Sequence, residues 1–354
     1  MKRTICEEKR YTVSARNEVV LSAGATNTPQ LLILSGLGPA SQLYSLGINP
    51  VLDLPAVGAN LIDHTLVCPA FSVNSSATFD DISRNATLAA ETFALWNTTG
   101  QGQFAAGLTN QIAWLRVPKN ESVWNEVNGD PSAGGTAGNY EFLFTVRHAL
   151  LIQTGYYIND LLQNGYIASA DPLPETGHFV SVCIALVTPS SSEFTLTLRS
   201  LMSERRFIVG NLTLSSPDVF TQPLIDPAHL ASKFDIGTII YGIKSLLRFL
   251  SAPNFASISP QPFGRFAEAL TTGGLSISPV ISHSEEGDAA LELYVRETAG
   301  TVFHPVGTAA MAKKGVKSGS NEGVVDNHLR VLGVDGLRVV DASVFVRVPI
   351  IFVV

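Results

Sequence analysis

Val19-Val20-Leu21-Ser22-Ala23-Gly24-Ala25-Thr26-Asn27-Thr28-Pro29-Gln30-Leu31-Leu32-Ile33-Leu34-Ser35-Gly36-Leu37-Gly38 decides how the chain folds. Residues 19–23 are a short apolar, partly β-branched run, which reads as a buried parallel strand. Gly24 ends it. Asn27 or Thr28 is expected to cap a helix, with Pro29 in its first turn and residues 30–34 inside it. Ser35-Gly36-Leu37-Gly38-Pro39 stops that helix. A strand, a turn of small residues and a helix N-terminus together offer free N–H groups and a favourable dipole to an anionic or dinucleotide group, and Gly24 supplies room. The same pattern also builds ordinary strand–turn–helix units that bind nothing.

Working outward, residues 11–16 alternate and are expected to form a strand, with Asn17-Glu18 a turn. A second helix is expected over 40–46, ended by Gly47. In Val57-Gly58-Ala59-Asn60-Leu61-Ile62-Asp63-His64, Gly58 permits a tight turn, and Asn60 and Asp63 can hydrogen-bond backbone or a ligand. Read alone, Asp63-His64 is a locally satisfied polar pair. From Thr65 to about Glu285 the texture changes. Strand-like pieces recur at 66–73, 141–146, 178–187 and 212–215, between Gly/Ser/Asn-rich loops at 97–107 and 129–139. This predicts an antiparallel sheet with long excursions, the 129–139 loop lying on the surface. Helices are expected at 228–233 and, amphipathic and core-packing, at 236–250. Ser284-Glu285-Glu286 caps another, running to about Glu297.

Phe303-His304-Pro305-Val306-Gly307-Thr308-Ala309-Ala310-Met311 carries the chemistry. One titratable imidazole stands between an aromatic ring and a Pro/Gly turn, as a proton-abstracting site requires. The small residues after it let another backbone or a flat cofactor approach. A histidine near glycine is, taken alone, more often structural. Farther on, Leu337-Arg338-Val339-Val340-Asp341-Ala342-Ser343 reads as a buried strand running into a helix start, where Asp341 and Ser343 cap the helix or bind a phosphate-bearing ligand.

Composition sets the bounds. The 354 residues are 45% hydrophobic and 15% charged, enough for a real core and for two domains. Net charge is −7, and no basic stripe points to nucleic acid. Cys6, Cys68 and Cys183 are far apart; nothing in their spacing suggests a metal, and one disulfide is allowed but not assignable. Sequons at Asn74, Asn85, Asn97, Asn120 and Asn211 favour secretion, yet the basic start of the chain lacks the apolar run of a signal peptide. The apolar stretch at 345–354 is too short to span a membrane.

Residues 24–38 resemble the second signature of the glucose–methanol–choline (GMC) flavin oxidoreductases. Val57-Gly58, Asn60-Leu61 and Asp63-His64 resemble that family's next landmark. Pro223-Leu224-Ile225-Asp226-Pro227 resembles its substrate-domain connection, residues 303–311 its catalytic histidine stretch, and residues 336–343 its final flavin-contacting strand. Phe before the histidine and Pro after it resemble the fungal aryl-alcohol-oxidase-like branch. The resemblance implies an α+β fold: part of a FAD-binding α/β domain at 1–64 and 286–354, and a substrate domain with an antiparallel sheet and helices at 65–285. It implies FAD, hydride transfer from an alcohol CH–OH carbon to flavin N5, and reoxidation by oxygen or a quinone-type acceptor. His304 would be the base and Phe303 would line the substrate pocket. Ser22, Ala23, Gly24, Asp341 and Ala342 would lie against FAD, and His64 would serve flavin-side structure. The other histidines, His229 among them, stand in no motif with a chemical reading.

Three departures from the family pattern stand out. No G-x-G-x-x-G follows a strand, so the ADP-binding unit is expected to be missing from the start. The family's further His or Asn past the Asp-Ala-Ser turn is replaced by an apolar run. Residues 191–209 interrupt the passage from Pro189-Ser190 to Gly210-Asn211-Leu212-Thr213-Leu214. A truncated gene model that reads through intron sequence twice accounts for all three. The competing expectation is a secreted, glycosylated, non-catalytic remnant or binding domain that keeps the fold and holds no flavin.

Overall fold

The computed structural model describes residues 11–105, 109–127, 129–132, 134–145, 174–190 and 210–346. The interruption at 191–209 and the apolar run beyond 346 lie outside them. In chain order the structure shows β1 (Val19–Leu21), α1 (Gly24–Leu34), β2 (Leu37–Gly38), α2 (Ala40–Ser45), β3 (Leu52–Asp53), β4 (Thr65–Val67), β5 (Ala70–Ser72), α3 (Asp80–Arg84), α4 (Ala86–Thr99), β6 (Thr109–Leu115) and β7 (Tyr140–Thr145). There follow β8 (Phe179–Leu186), β9 (Asn211–Thr213), β10 (Leu224–Asp226), α5 (Lys233–Leu250), β11 (Gln261–Pro262), α6 (Gly264–Thr272), α7 (Glu285–Thr298), β12 (Gly300–Thr301) and β13 (Leu337–Val339). The fold is mixed α+β, as the sequence implies.

Two cores organise it. In the first, β1 pairs in parallel with β13 across 318 residues of sequence, Val19 opposite Leu337 and Leu21 opposite Val339. Leu32 and Ile33 of α1 pack there against Val324, Val325, Val331, Val339 and Val344. In the second, a seven-stranded antiparallel sheet is centred on β8, with β7 on one side and β4 and β5 end to end on the other. Pro69 divides what reads as one strand over 66–73, because proline cannot donate to the ladder. Helix α5 covers one face of this sheet and presses Ile239, Ile243 and Leu246, all fully buried, onto it. Burying each such side chain contributes about 1.5–3 kcal/mol. Leu291, Tyr294 and Val295 of α7 join this core, while Leu212 and Leu214 join the other. Cys68 and Cys183 form a disulfide between neighbouring strand lines.

Several expected elements shift. Helix α1 starts at Gly24, so Pro29 is its sixth residue rather than in its first turn, and Ala23 is the N-cap. Proline there removes the N–H that Ala25 O would receive; the buried Thr308 hydroxyl donates to Ala25 O instead, at 2.6 Å. Residues 11–16 form no strand and are exposed, since alternation without a pairing edge does not hold a strand. Residues 228–232 form no helix. Ala228 and Leu230 have φ of +53° and +56°, Asp226 Oδ1 caps the turn at Ala228 N, and Ser232 starts α5 by accepting from Phe234 N and Asp235 N. The expected loop at 97–107 begins only after α4, which Gly100 ends in the left-handed region. The 129–139 loop is partly buried: Arg116 donates to Ser132 Oγ and Ala137 O, and Asn139 is fully enclosed.

Candidate functional site

Residues 300–311 connect the two cores. Gly300 and Thr301 pair with Leu66 and Thr65, and Val302 N donates to His64 O. Val306 then bridges Ile62, and Gly307, Ala309 and Met311 donate to the carbonyls of Ala342, Ser343 and Val344. Gly307 is required here: its φ is +90°, and a Cβ would lie 2.2 Å from Asn60 O. The stretch therefore sets His304 at one end and the 341–343 turn at the other.

At the histidine end, the organiser is Asp63, 3% exposed. Its Oδ1 accepts from His64 N at 2.8 Å and His304 N at 3.0 Å, and its Oδ2 accepts from the Thr301 hydroxyl. Thr301 Oγ1 in turn accepts from Phe303 N at 2.7 Å. That bond holds Phe303 at φ +63°, a conformation a bulky residue rarely adopts and one that clusters at functional sites. Phe303 is 41% exposed beside His304.

The imidazoles of His304 and His64 meet edge to face, Nδ1 to Nδ1 at 3.3 Å. His229 closes the cluster: its Nδ1 lies 2.7 Å from Thr65 Oγ1 and its Nε2 3.9 Å from Asp63 Oδ2. Burial, and then the nearby charge of His304, push His64 down to about 3. Burial pushes His229 to about 4 and lowers His304 as well. Burial raises Asp63 to about 6, against the hydrogen bonds it accepts. The three rings are thus neutral at neutral pH, and a neutral ring at His304 is a proton acceptor.

At the other end, β1 and β13 deliver Ser22, Ala23, Gly24, Asp341 and Ala342 to one place. Ser22 Oγ donates to Val340 O at 2.8 Å. Asp341 Oδ2 accepts from Gly24 N at 3.0 Å and Thr28 Oγ1 at 2.5 Å, and its Oδ1 accepts from Ser343 N at 2.8 Å. Asp341 therefore ties the start of α1 to the 341–343 turn. Two observations fit a dinucleotide cradle. Nothing lies within 4 Å of where a Cβ on Gly24 would be, so its backbone is open to a close ligand. Ser343 Oγ is fully buried with no hydrogen-bond partner among the described residues.

The residues singled out in the sequence thus fall into two groups joined by one strand-like run. Sequence reasoning missed two others. His64, expected to serve flavin-side structure, also touches His304. His229 carried no motif, and it reaches the site from a turn 75 residues before His304. Thr301 had no local signal; its pairing with Thr65 depends on β12 finding β4.

The GMC oxidoreductase family matches in two parts, residues 3–66 with its N-terminal portion and residues 208–352 with its C-terminal portion. Dehydrogenase eriK from Hericium erinaceus is 31% identical over 340 residues, covering 95% of this chain and 47% of the relative. Patulin synthase from Aspergillus clavatus is 30% identical over 349 residues, covering 96% and 47%. A formate oxidase from Aspergillus oryzae, solved in work on its FAD modification, superposes with a TM-score of 0.71 at 26% identity, covering 95% of this chain and 51% of that one. The chain spans about half the length of the relatives it matches.

Proposed function

The chain belongs to the GMC oxidoreductase family, a family of FAD-binding enzymes, and from that membership we propose that it serves a FAD-dependent oxidation of the CH–OH group of small alcohols, with His304 as base. The observation that carries the reading is His304 itself: a neutral, half-buried imidazole whose main chain is fixed by Asp63 and whose Nδ1 faces His64. When bound, FAD supplies the hydride acceptor and is returned to its oxidised state by oxygen or a quinone-type compound. The chain's own residues prepare the substrate. His304 takes the hydroxyl proton, which makes loss of hydride from the carbinol carbon favourable. Its position on a backbone clamped at Asp63, Thr301 and Val306 limits reorientation during the reaction.

His64 sets which nitrogen of His304 does this. Its Nε2 is buried without a hydrogen-bond partner among the described residues, its Nδ1 faces His304, and we assign the ring proton of His64 to Nε2. Nδ1 of His64 then accepts, Nδ1 of His304 donates, and Nε2 of His304 is left as the ring's acceptor. Phe303 is assigned to the substrate pocket, and its exposed ring suits an aryl alcohol. Ser22, Ala23, Gly24, Asp341 and Ala342 are assigned to FAD. Asp341 organises the turn, while the open backbone of Gly24 and the Ser343 hydroxyl face the group. Residues 1–64 and 286–354 are assigned to the FAD side and 65–285 to the substrate side. Secretion and glycosylation are part of the same reading, supported by the Cys68–Cys183 disulfide and the five sequons.

The test is spectroscopic. Because the chain shows no G-x-G-x-x-G unit, it is expected to bind FAD weakly by itself; joined to the ADP-binding unit of a relative, incubated with FAD and desalted, it is expected to stay yellow, and its flavin absorbance to bleach anaerobically with aryl primary alcohols. A colourless, folded protein favours the non-catalytic alternative. A yellow protein that sugars bleach and aryl alcohols do not overturns the aryl assignment.

A further inference from the structure

The two faces of the seven-stranded sheet are used differently. Tyr140, Phe142 and Phe144 of β7 and Val180, Val182, Ile184 and Leu186 of β8 turn into the core under α5. The alternate residues face the other way. There Leu66, Leu143, Cys183 and Ala185 pack together with Val302, two residues before His304. Side chains alternate strictly along a strand, so Glu141 belongs to this second face.

Register sets Glu141 in one row. Trp114 is opposite Glu141, Glu141 opposite Ala185, Ala185 opposite Leu66, and Leu66 opposite Gly300, from which the chain runs on to His304. At about 4.8 Å per strand, Glu141 is roughly 10 Å along the row from Leu66 and about 15 Å from Gly300. A Glu side chain, a monocyclic alcohol and a His side chain together span a distance of that order.

Glu141 is 6% exposed, in the middle of the antiparallel sheet. The Trp114 side chain hydrogen-bonds its carboxyl. Burial pushes it up to about 7, against that bond. A carboxyl can take more than one donor, and a buried polar group gains from each donor that reaches it. Trp114 and Ile112 share its face and are 46% and 45% exposed, an apolar surface on which an aromatic ring can lie.

We infer that Glu141, with Trp114 and Ile112 beside it, is a specificity residue that accepts a hydrogen bond from a hydroxyl group remote from the reacting carbinol of the substrate. The inference rests on the reading of the substrate as a small alcohol. It is tested by binding, without flavin and without turnover, so it fails or holds independently of the role of His304.

The chain has three tryptophans, so 5-fluorotryptophan labelling gives three ¹⁹F resonances, and Trp114→Phe identifies one of them. Titration with 4-hydroxybenzyl alcohol and with 4-methylbenzyl alcohol is expected to shift the Trp114 resonance, with affinity at least about tenfold higher for the hydroxy compound, since a site built for a donor rejects the analogue lacking it. Glu141→Leu is expected to bring the ratio near one. Glu141→Gln, which keeps shape and fold, is expected to lower it. Unmoved Trp96 and Trp124 resonances report an intact fold. Equal affinities in the parent, no saturable shift with either alcohol, or a ratio preserved in both variants overturns the inference.

Discussion

Nδ1 of His304 lies 3.3 Å from Nδ1 of His64, and two imidazole nitrogens at that distance share a single proton. Which ring owns it decides whether His304 presents a base or a donor to the substrate. The account predicts that ¹⁵N NMR of labelled protein near neutral pH finds His304 protonated at Nδ1 and bare at Nε2. Replacing His64 with Phe removes the acceptor, and the His304 tautomers then mix. A parent His304 protonated at Nε2 contradicts the assignment.

Asp63 gathers three donors, one from its neighbour His64 and two from the distant segment 301–304. Asp63→Ala orphans all of them, and each buried donor left unmade costs about 1–3 kcal/mol. Thermal unfolding is expected to fall by on the order of 10 °C. Asp63→Asn keeps an acceptor for the two backbone N–H groups and is expected to lose less than half as much. Equal melting temperatures for both variants and the parent would show that Asp63 does not hold the site together.

The pH dependence of stability separates the buried groups. Asp63 is raised by burial to about 6, so its contribution is complete below its ordinary value of 3.8 and is lost as pH rises through 6. His64 is lowered to about 3 and His229 to about 4, so theirs is complete above 6.5 and is lost as pH falls toward those values. Between about 4 and 6 the slopes of Asp63 and His64 oppose. Asp63→Asn removes only the first. Chemical denaturation should therefore show the parent gaining on this variant by on the order of 3 kcal/mol between pH 6.5 and 3.5. A pH-independent difference contradicts the burial of the carboxyl.

Thr308 replaces the hydrogen bond that Pro29 cannot make. Thr308→Val keeps the volume and leaves Ala25 O unsatisfied, at a loss of about 1–3 kcal/mol. Thr308→Ser keeps the hydroxyl and is expected to lose less. Equilibrium unfolding of the two variants checks this, and the reverse order would mean that Thr308 acts through its methyl group.

What was legible in the sequence followed from local rules. The helix after residue 23, β7, β8 and the amphipathic α5 all carry their own period or run; β1 is parallel as expected, but Val19 and Val20 are exposed rather than buried. Ser284 announced α7 as an N-cap and accepts from Gly287 N as expected. The start of α1 was misplaced because Pro29 normally marks a first turn, and its tolerance at the sixth position depends on Thr308, 279 residues away. Helix α4 buries none of its residues, so no apolar stripe marks it. In the site, Phe303 and His304 stood out by local chemistry, but Asp63, Thr301 and His229 become a cluster only when β12 pairs with β4 and the 226–230 turn closes over them. Glu141 reads as an ordinary charge in a strand until the register shows its face.

The most direct measurement of the central claim is stopped-flow reduction of bound flavin by an aryl alcohol, in protein completed with an ADP-binding unit, comparing parent with His304→Ala under anaerobic conditions. The account predicts that flavin stays bound, that the reduction rate falls by about 10²–10⁴-fold, and that the apparent affinity for the alcohol changes far less. Reduction of flavin at the parental rate in His304→Ala would contradict it and leave His304 a structural histidine.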